Sequence, residues 1–466
     1  MNLTLLGVLG YVAAQLAIGA YVSRRIRTED DYLVAGRSLG YGLATFTIFA
    51  TWFGAETCIG AAGAIYEGGL SGATADPFGY AACLLFLGLF FAVPLWRRKL
   101  TTLGDLFRLR YSSGVEKVAV VLMAPTSMIW AAAQIRAFGQ VLSASSGLEV
   151  SVAITVAAAV VIVYTMLGGL LADAWTDLIQ GILLIIGLAF VFFALMSDVG
   201  LEAYSAIDPA RLNPFDTSQR TVMGIIEEWA IPICGSVVAA ELVARVIASR
   251  SPEVARRSSL VASGMYFAVG LIPVSIGLIG FMVLPELTDP EHVLPLVAQQ
   301  YLPGGLYFVF TGALISAILS TVDSALLTAS SLISHNLIVP LRPGMTERQK
   351  VLTARVGVAA FGVLAFVLAL HAEGVYALVE EASAFGSAGI FTVIVFGLFS
   401  RLGGVYSALT SLGTGIITWV LGAYVLEWPY PYLTSLGAAV LVYVAGAIAE
   451  SRFQQVEAVR VSTASR

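Results

Sequence analysis

The stretch Ala50-Thr51-Trp52-Phe53-Gly54-Ala55-Glu56-Thr57-Cys58-Ile59-Gly60 sets a glutamate between two glycines inside an apolar run covering about 41–66. Backbone within hydrocarbon must satisfy its own hydrogen bonds, so a break there is tolerated only where it meets protein or lines a cavity. A second interrupted run, Glu227-Glu228-Trp229-Ala230-Ile231-Pro232-Ile233-Cys234-Gly235-Ser236, falls within 221–248. With the first apolar segment peripheral, these two become the leading helices of two five-helix halves. Interrupted segments at matching places in two halves point to the binding site of a secondary transporter. Membrane helices are in any case richer in Gly and Pro than soluble ones. It is the matched placement that favours function.

The whole chain agrees with that setting. Of 466 residues, 58% are hydrophobic and only 12% charged, and the mean hydropathy is +0.88. A soluble domain carries roughly twice that charged fraction. With 25 basic against 30 acidic residues, the net charge of −5 leaves no footprint for nucleic acid. Soluble enzymes, disordered chains and nucleic-acid binders are excluded. Cys58, Cys83 and Cys234 sit in apolar runs as small hydrophobes and offer no disulfide or metal framework.

A membrane helix takes about 20 apolar residues. Thirteen segments qualify: about 3–23, 41–66, 73–96, 118–146, 149–169, 174–197, 221–248, 258–284, 303–338, 352–370, 373–399, 404–426 and 431–449. The sequence therefore predicts an all-α integral membrane protein with 13 transmembrane helices. Residues 1–450 form a single transporter domain, with repeats at about 41–197 and 221–399, followed by a short cytoplasmic tail at 451–466. The first segment has full membrane length and is followed by Arg24, Arg25 and Arg27, unlike a signal peptide.

Placing the N-terminus outside makes the connections at 24–40, 97–117, 249–257, 339–351 and 400–403, and the tail from 450, cytoplasmic. Of the 25 Lys and Arg residues, only Arg211 and Arg220 then fall outside those segments and the adjoining helix ends, with Arg136 inside a span. The positive-inside bias selects this orientation, with the C-terminus inside. Glu202, Asp208, Asp216, Glu286, Asp289 and Glu291 populate the outer loops. The tail, ending in Ser465 and Arg466, is too short for a signalling domain.

The ninth segment carries a polar stripe. Ala317, Thr321, Ser324, Thr328 and Ser331 follow one another at spacings of four and three, with Ser320 and Asp323 alongside. Such stripes also serve close helix packing, and hydroxyls there often bond a local carbonyl. That reading competes for Thr328 and Ser331. The adjacent hydroxyls of Ser320 and Thr321, together with carbonyls freed at a break, would give a hard alkali cation its oxygen ligands.

Ionisable groups in the bilayer are functional candidates by default. Glu56, Glu241, Asp323, Glu380 and Glu381 lie in or near spans. Glu380 and Glu381 also suit an aqueous vestibule, since Glu373 marks the outer end of their helix. Asp173, Asp177 and Gln180 share a face, and Asp173 equally suits a cap at the inner surface. Glu56 has the stronger claim because it lies in the break. Trp130 and Gln134 are four apart on the fourth segment with Ser127, whereas Arg136 points about 200° away from Gln134 at 100° per residue. Arg136 is left to a salt bridge, snorkelling or a solute carboxylate. Trp52 and Tyr80, taken alone, are ordinary packing or lipid-facing residues. His292, His335 and His371 lie at loops or helix ends and suggest no catalysis.

These residues resemble the sodium:solute symporter family. The matching stretches are Ala50 to Gly69 (ATWFGAETCIGAAGAIYEGG), Gly168 to Gln180 (GGLLADAWTDLIQ), Arg245 to Leu260, and Ala317 to Asn336 (AILSTVDSALLTASSLISHN). The likeness runs over about residues 1–450. It implies the LeuT-type five-plus-five inverted-repeat core with one extra N-terminal and two extra C-terminal helices. It also implies a principal sodium site at Ala50, Phe53, Ala317, Ser320 and Thr321. Asp177 matches an acid that some members use for a second sodium; Asp323 stands where those members have a hydroxyl, beside Ser324. Around Trp52, Tyr80, Trp130 and the run from Ser320, the choline branch is most similar. Its aromatic residues surround a quaternary ammonium through cation–π contacts. Here the fourth expected aromatic aligns with Ala239, and Glu56 replaces a neutral residue.

The implied protein is a bacterial-type inner-membrane carrier with sodium as coupling ion and no organic cofactor. Its solute is a small polar cation or zwitterion held by Trp52, Glu56, Tyr80, Trp130 and Gln134. A sugar or a carboxylate at Arg136 is the alternative, as is a transport-like sensor for a separate partner. No clustered nucleophile, His or metal motif supports a membrane enzyme.

Overall fold

The computed structural model describes Ala17, Tyr21 and residues 26–464 apart from 168, 219 and 373. The predicted first span at 3–23 (Ala17 and Tyr21 excepted), Arg24, Arg25, Gly168, Glu373, Ser465 and Arg466 lie outside the described residues. Every predicted segment from residue 41 onward is helical or helical with a break. Among the described residues, eight helices are long and apolar enough to cross a bilayer. They are Ala75–Arg97, Ser113–Ala144, Leu170–Val199, Pro252–Val283, Gly304–Leu341, Glu347–His371, Val405–Val425 and Pro431–Arg452. Two bent pairs, Val222–Gly235 with Ala240–Ala248 (42°) and Val375–Ala384 with Ser387–Phe399 (43°), bring the number to ten if each is one span. Tyr41–Ala50 and Val150–Val163 are shorter apolar helices.

Ten helices frame the site: α1 (Tyr41–Ala50), α2 (Ala62–Gly68), α3 (Ser113–Ser146), α4 (Leu170–Val199), α5 (Val222–Ala230), α6 (Ala240–Ala248), α7 (Pro252–Val283), α8 (Gly304–Ile333), α9 (Val375–Ala384) and α10 (Ser387–Phe399). Their starts follow local chemistry. Ser112, Thr221 and Ser251 cap α3, α5 and α7 by accepting the amides of Val115, Gly224 and Val254, and Pro252 opens α7 where no amide is needed.

The breaks sit where the sequence puts them. After α1 the regular helix is interrupted over 51–54, then re-forms from Ala55 through a wide π-type turn (Glu56–Ala61) leading into α2. The second interruption follows a similar π-type turn (Ile231–Gly235) between α5 and α6. α8 is the central helix: every residue from Ala313 to Leu332 is buried, whereas Glu347–His371 turns Leu352, Val356 and Val363 outward. Its stripe of small residues allows that burial, because α8 packs closely on both α3 and α4. α1 packs on α4 and α7, so the first break opens onto α8.

The last helix runs unbroken from Pro431 to Ala464, past the end of its apolar span at Arg452. No Gly or Pro lies between Ala447 and Ala464 to stop it.

Candidate functional site

At the first break, α8 meets the end of α1. The Thr321 hydroxyl lies 3.1 Å from the Ala50 carbonyl and 3.3 Å from the Ala317 carbonyl. Gly54 makes that approach possible, since a Cβ there would sit 2.7 Å from Thr321 Oγ1. Phe53 is buried in the break with its ring stacked on Phe49 at 4.6 Å. Ser320 turns toward α4, where its hydroxyl donates to Asp177, whose other oxygen accepts from Thr47 of α1. Ala50, Ala317 and Thr321 thus converge on one point, with Ser320 and Asp177 next to it. All the donor atoms are hard oxygens, the set an alkali cation prefers. Among the described residues, no group of three or more His, Cys, Asp or Glu side chains could hold a metal ion.

The remaining candidates for a second sodium lie one turn along α8. Ser324 donates to Asp173 at 2.9 Å and also accepts from the Arg245 guanidinium, which pairs with Asp173. Both members of that pair are fully buried, which corrects the alternative of a surface cap for Asp173. The helix turns its Asp173–Asp177–Gln180 face into the bundle, and Arg245 of α6 reaches across to it. Asp323 is buried beside the Thr165 hydroxyl, with neither oxygen in a hydrogen bond of ordinary geometry.

On the other side of the break, three rings close on one another. Trp52 lies 5.2 Å from Tyr80 and 5.8 Å from Trp130, and Tyr80 lies 5.9 Å from Trp130. The Tyr80 hydroxyl meets Ser383 Oγ at 2.9 Å, and Ser236 at the second break donates to the same oxygen at 3.0 Å. This joins the second break and the Tyr80 helix, which packs on Trp52 of the first break, to α9. Gly235 passes so close to the Ser383 carbonyl that a Cβ there would sit 2.1 Å away. A cavity of about 40 Å³ lies beside the rings, lined by Trp130, Ser236, Ala239, Glu241 and Ser383 among others. One water needs about 10–15 Å³, so this space admits a few waters. An organic solute has to part the rings.

Two acids border the first break. Gln134 donates to Glu56 Oε2 at 2.7 Å and accepts the Ala55 amide at 3.2 Å, so it both holds the acid and caps the re-forming helix. Asp76 Oδ2 accepts from Thr57 at 2.8 Å and Tyr266 at 3.0 Å, and the Tyr266 hydroxyl also reaches the Trp52 carbonyl at 3.0 Å. Sequence reasoning missed Asp76, Tyr266, Ser236 and Ser383. Asp76 alone left a signal: an acid one turn before Tyr80 at the head of an apolar run.

Arg136 lies elsewhere. It borders a recess of about 490 Å³ with Glu67, Asp289, Glu291 and Tyr376, and reaches the Ala369 carbonyl at 3.5 Å. Burial raises the Glu291 carboxyl above the usual range, although the Val375 amide donates to it at 2.5 Å. Glu380 is partly buried in the field of Glu228, and Glu381 accepts from the Tyr424 hydroxyl. Glu241 is buried beside Ser127 at the 40 Å³ cavity.

At the end of the bundle with the basic connections, the helix Gly104–Arg110 is tied to the end of α8. Asp105 accepts from the Thr101 and Thr102 amides at 2.8 and 3.1 Å and lies 3.5 Å from the His335 ring, which meets Glu29 at 2.9 Å on its other nitrogen. Burial pushes the Asp105 carboxyl up, but His335 and the two amides outweigh it and hold its pKa at about 2.

The chain is 26% identical over 436 residues to high-affinity choline transporter 1 of Caenorhabditis elegans, covering 87% of this chain and 75% of that one. It is 27% identical over 440 residues to the sodium/pantothenate symporter of Haemophilus influenzae, covering 88% and 87%. Its fold is shared with a substrate-bound, outward-open Na+-coupled sialic acid symporter, at a TM-score of 0.83 and 19% identity over 96% of this chain and 98% of that one. The fold is thus LeuT-like, and the protein is a multi-pass membrane transporter, not an enzyme. Residues 32–415 match the model of the sodium:solute symporter family, and the chain belongs to that family.

Proposed function

We propose that this transporter uses inward sodium movement to drive uptake of a small polar organic cation or zwitterion, such as a choline-like amine or an amino acid, by alternating access. The observation that carries the sodium assignment is the Thr321 hydroxyl lying 3.1 Å from the Ala50 carbonyl across the break. Sodium at Ala50, Phe53, Ala317, Ser320 and Thr321 holds α1 against α8 and pre-forms the solute pocket at Trp52, Glu56, Tyr80, Trp130 and Gln134. Asp177, Asp323 and Ser324 are the candidates for a second sodium. Coupling of this kind is typically worth about 1–3 kcal/mol. Two repeats, about 41–197 and 221–399, then rock to expose both ligands inward.

The frame is a cytoplasmic (inner) membrane protein of thirteen spans, N-terminus outside and C-terminus inside. It draws support from the distribution of Lys and Arg and from helices filling every segment after the first. The three mutually touching rings favour a positively charged group over a neutral sugar. Arg136, the candidate for a solute carboxylate, shares its recess with Glu67, Asp289 and Glu291, which disfavours an anion.

The test is uptake into proteoliposomes with and without an inward sodium gradient, screened over amines, amino acids, sugars and carboxylates. Uptake should require the gradient, and Thr321→Ala should weaken sodium activation far more than solute affinity at saturating sodium. Unchanged sodium activation would remove the site. Binding without accumulation would make the protein a sensor.

A further inference from the structure

Resting on the reading above, we infer that Glu56 and Asp76 together receive an ammonium group that carries N–H donors. The solute is then a primary or secondary amine of net positive charge, not a quaternary ammonium ion. Both side chains are fully buried. Each has one oxygen engaged and one open. Glu56 Oε2 takes the Gln134 amide and Asp76 Oδ2 takes the Thr57 and Tyr266 hydroxyls; the Glu56 carboxyl also meets its own backbone amide, and apart from that Glu56 Oε1 and Asp76 Oδ1 have no hydrogen-bond partner among the described residues.

The two side chains belong to one locality. Thr57 follows Glu56 in the chain and donates to Asp76, while the Tyr266 hydroxyl touches Asp76, Thr57 and the Trp52 carbonyl. The Tyr80 phenol lies in the field of both carboxylates. Trp52 and Tyr80 are two of the three touching rings, so the acids flank the proposed solute pocket.

A buried acceptor left open is costly, and charge-assisted N–H donors are its strongest remedy. A quaternary ammonium satisfies the rings but has no donor to offer. A sugar brings donors without charge. An amino acid would bring its own carboxylate toward two acids, and the fully buried Arg245 guanidinium is already engaged by Asp173 and Ser324. An ammonium with two or three N–H bonds answers both open oxygens and still presents positive charge to the rings. An alkali ion in the same oxygen set is the competing occupant.

The test uses tryptophan fluorescence of the full chain in nanodiscs at saturating sodium, titrated with ethanolamine, putrescine, choline, tetramethylammonium and alanine. In the wild type, ethanolamine or putrescine should bind at least roughly tenfold more tightly than choline. Glu56→Gln and Asp76→Asn should each weaken the amine by about tenfold and weaken choline clearly less. The wild-type comparison stands even if a variant fails to fold. Choline binding as well as ethanolamine does, no response to either amine, or amine affinity unaltered in both variants would overturn the inference. So would a sodium response that vanishes in Asp76→Asn while amine binding persists, since the acids would then hold the ion. Proteoliposome uptake separates the two readings. Amine binding without sodium-driven accumulation sinks the coupling and spares this inference; sodium-driven uptake of quaternary amines alone does the reverse.

Discussion

A Cβ placed on Gly54 would lie 2.7 Å from Thr321 Oγ1, nearer than side-chain carbons ordinarily come to a neighbour. The hydroxyl that meets the Ala50 carbonyl therefore depends on the missing side chain across from it. Gly54→Ala should drive the break and α8 apart and raise the sodium concentration for half-maximal uptake by about tenfold or more. Gly42→Ala is the control, because nothing lies within 4 Å of a Cβ there. Sodium titration of uptake in both variants checks this, and equal behaviour would show that the approach of Gly54 to Thr321 does not matter for the ion.

Ser383 plays the linking part at the second break, where its hydroxyl bridges Tyr80 and Ser236. Ser383→Ala and Tyr80→Phe remove the same hydrogen bond from opposite ends. Each should raise the solute KM several-fold with little change in sodium activation. The double variant should be no worse than the poorer single one, because residues that share one contact are not additive. Additive losses would mean that the two hydroxyls act on the solute separately.

Much of this architecture is legible because hydrocarbon leaves the chain few options. Apolar runs mark helices, and the glycines at Gly54 and Gly235 mark where two of them open. The stripe through Ala317, Thr321 and Ser324 is equally readable, since helical spacing alone puts those residues on one face. What stays hidden is pairing between distant segments. Nothing in the order of residues says that Arg245 reaches Asp173, or that Tyr266 reaches Asp76. Asp173 consequently reads equally well as a surface cap, and Ser236 and Ser383 read as unremarkable serines until the second break brings them to Tyr80.

The Arg245–Asp173 pair yields a prediction about stability. Both partners are fully buried, and removing one leaves the other charged group without its counter-charge. Breaking such a pair typically costs about 3–5 kcal/mol, whereas replacing both by apolar groups of similar size is often close to neutral. Arg245→Met should therefore lower the thermal unfolding midpoint in nanodiscs sharply, and Arg245→Met with Asp173→Leu should recover much of the loss. A double variant as unstable as the single one would show that Ser324 and the neighbouring Asp323 need the guanidinium in their own right.

Strong acid should weaken a different cluster, where Asp105 joins the Gly104–Arg110 helix to His335. Burial alone would favour the protonated acid, but His335 and the Thr101 and Thr102 amides hold its pKa at about 2. An unfolded aspartate titrates near 3.9. The folded chain thus gains stability from the ionised carboxylate above that value and loses it as the pH falls toward about 2. Wild type should unfold at a higher temperature than Asp105→Asn at pH 5, and the difference should shrink only once the pH drops below about 4. A gap that closed between pH 7 and 5 would mean that a group other than Asp105 governs this end of the bundle.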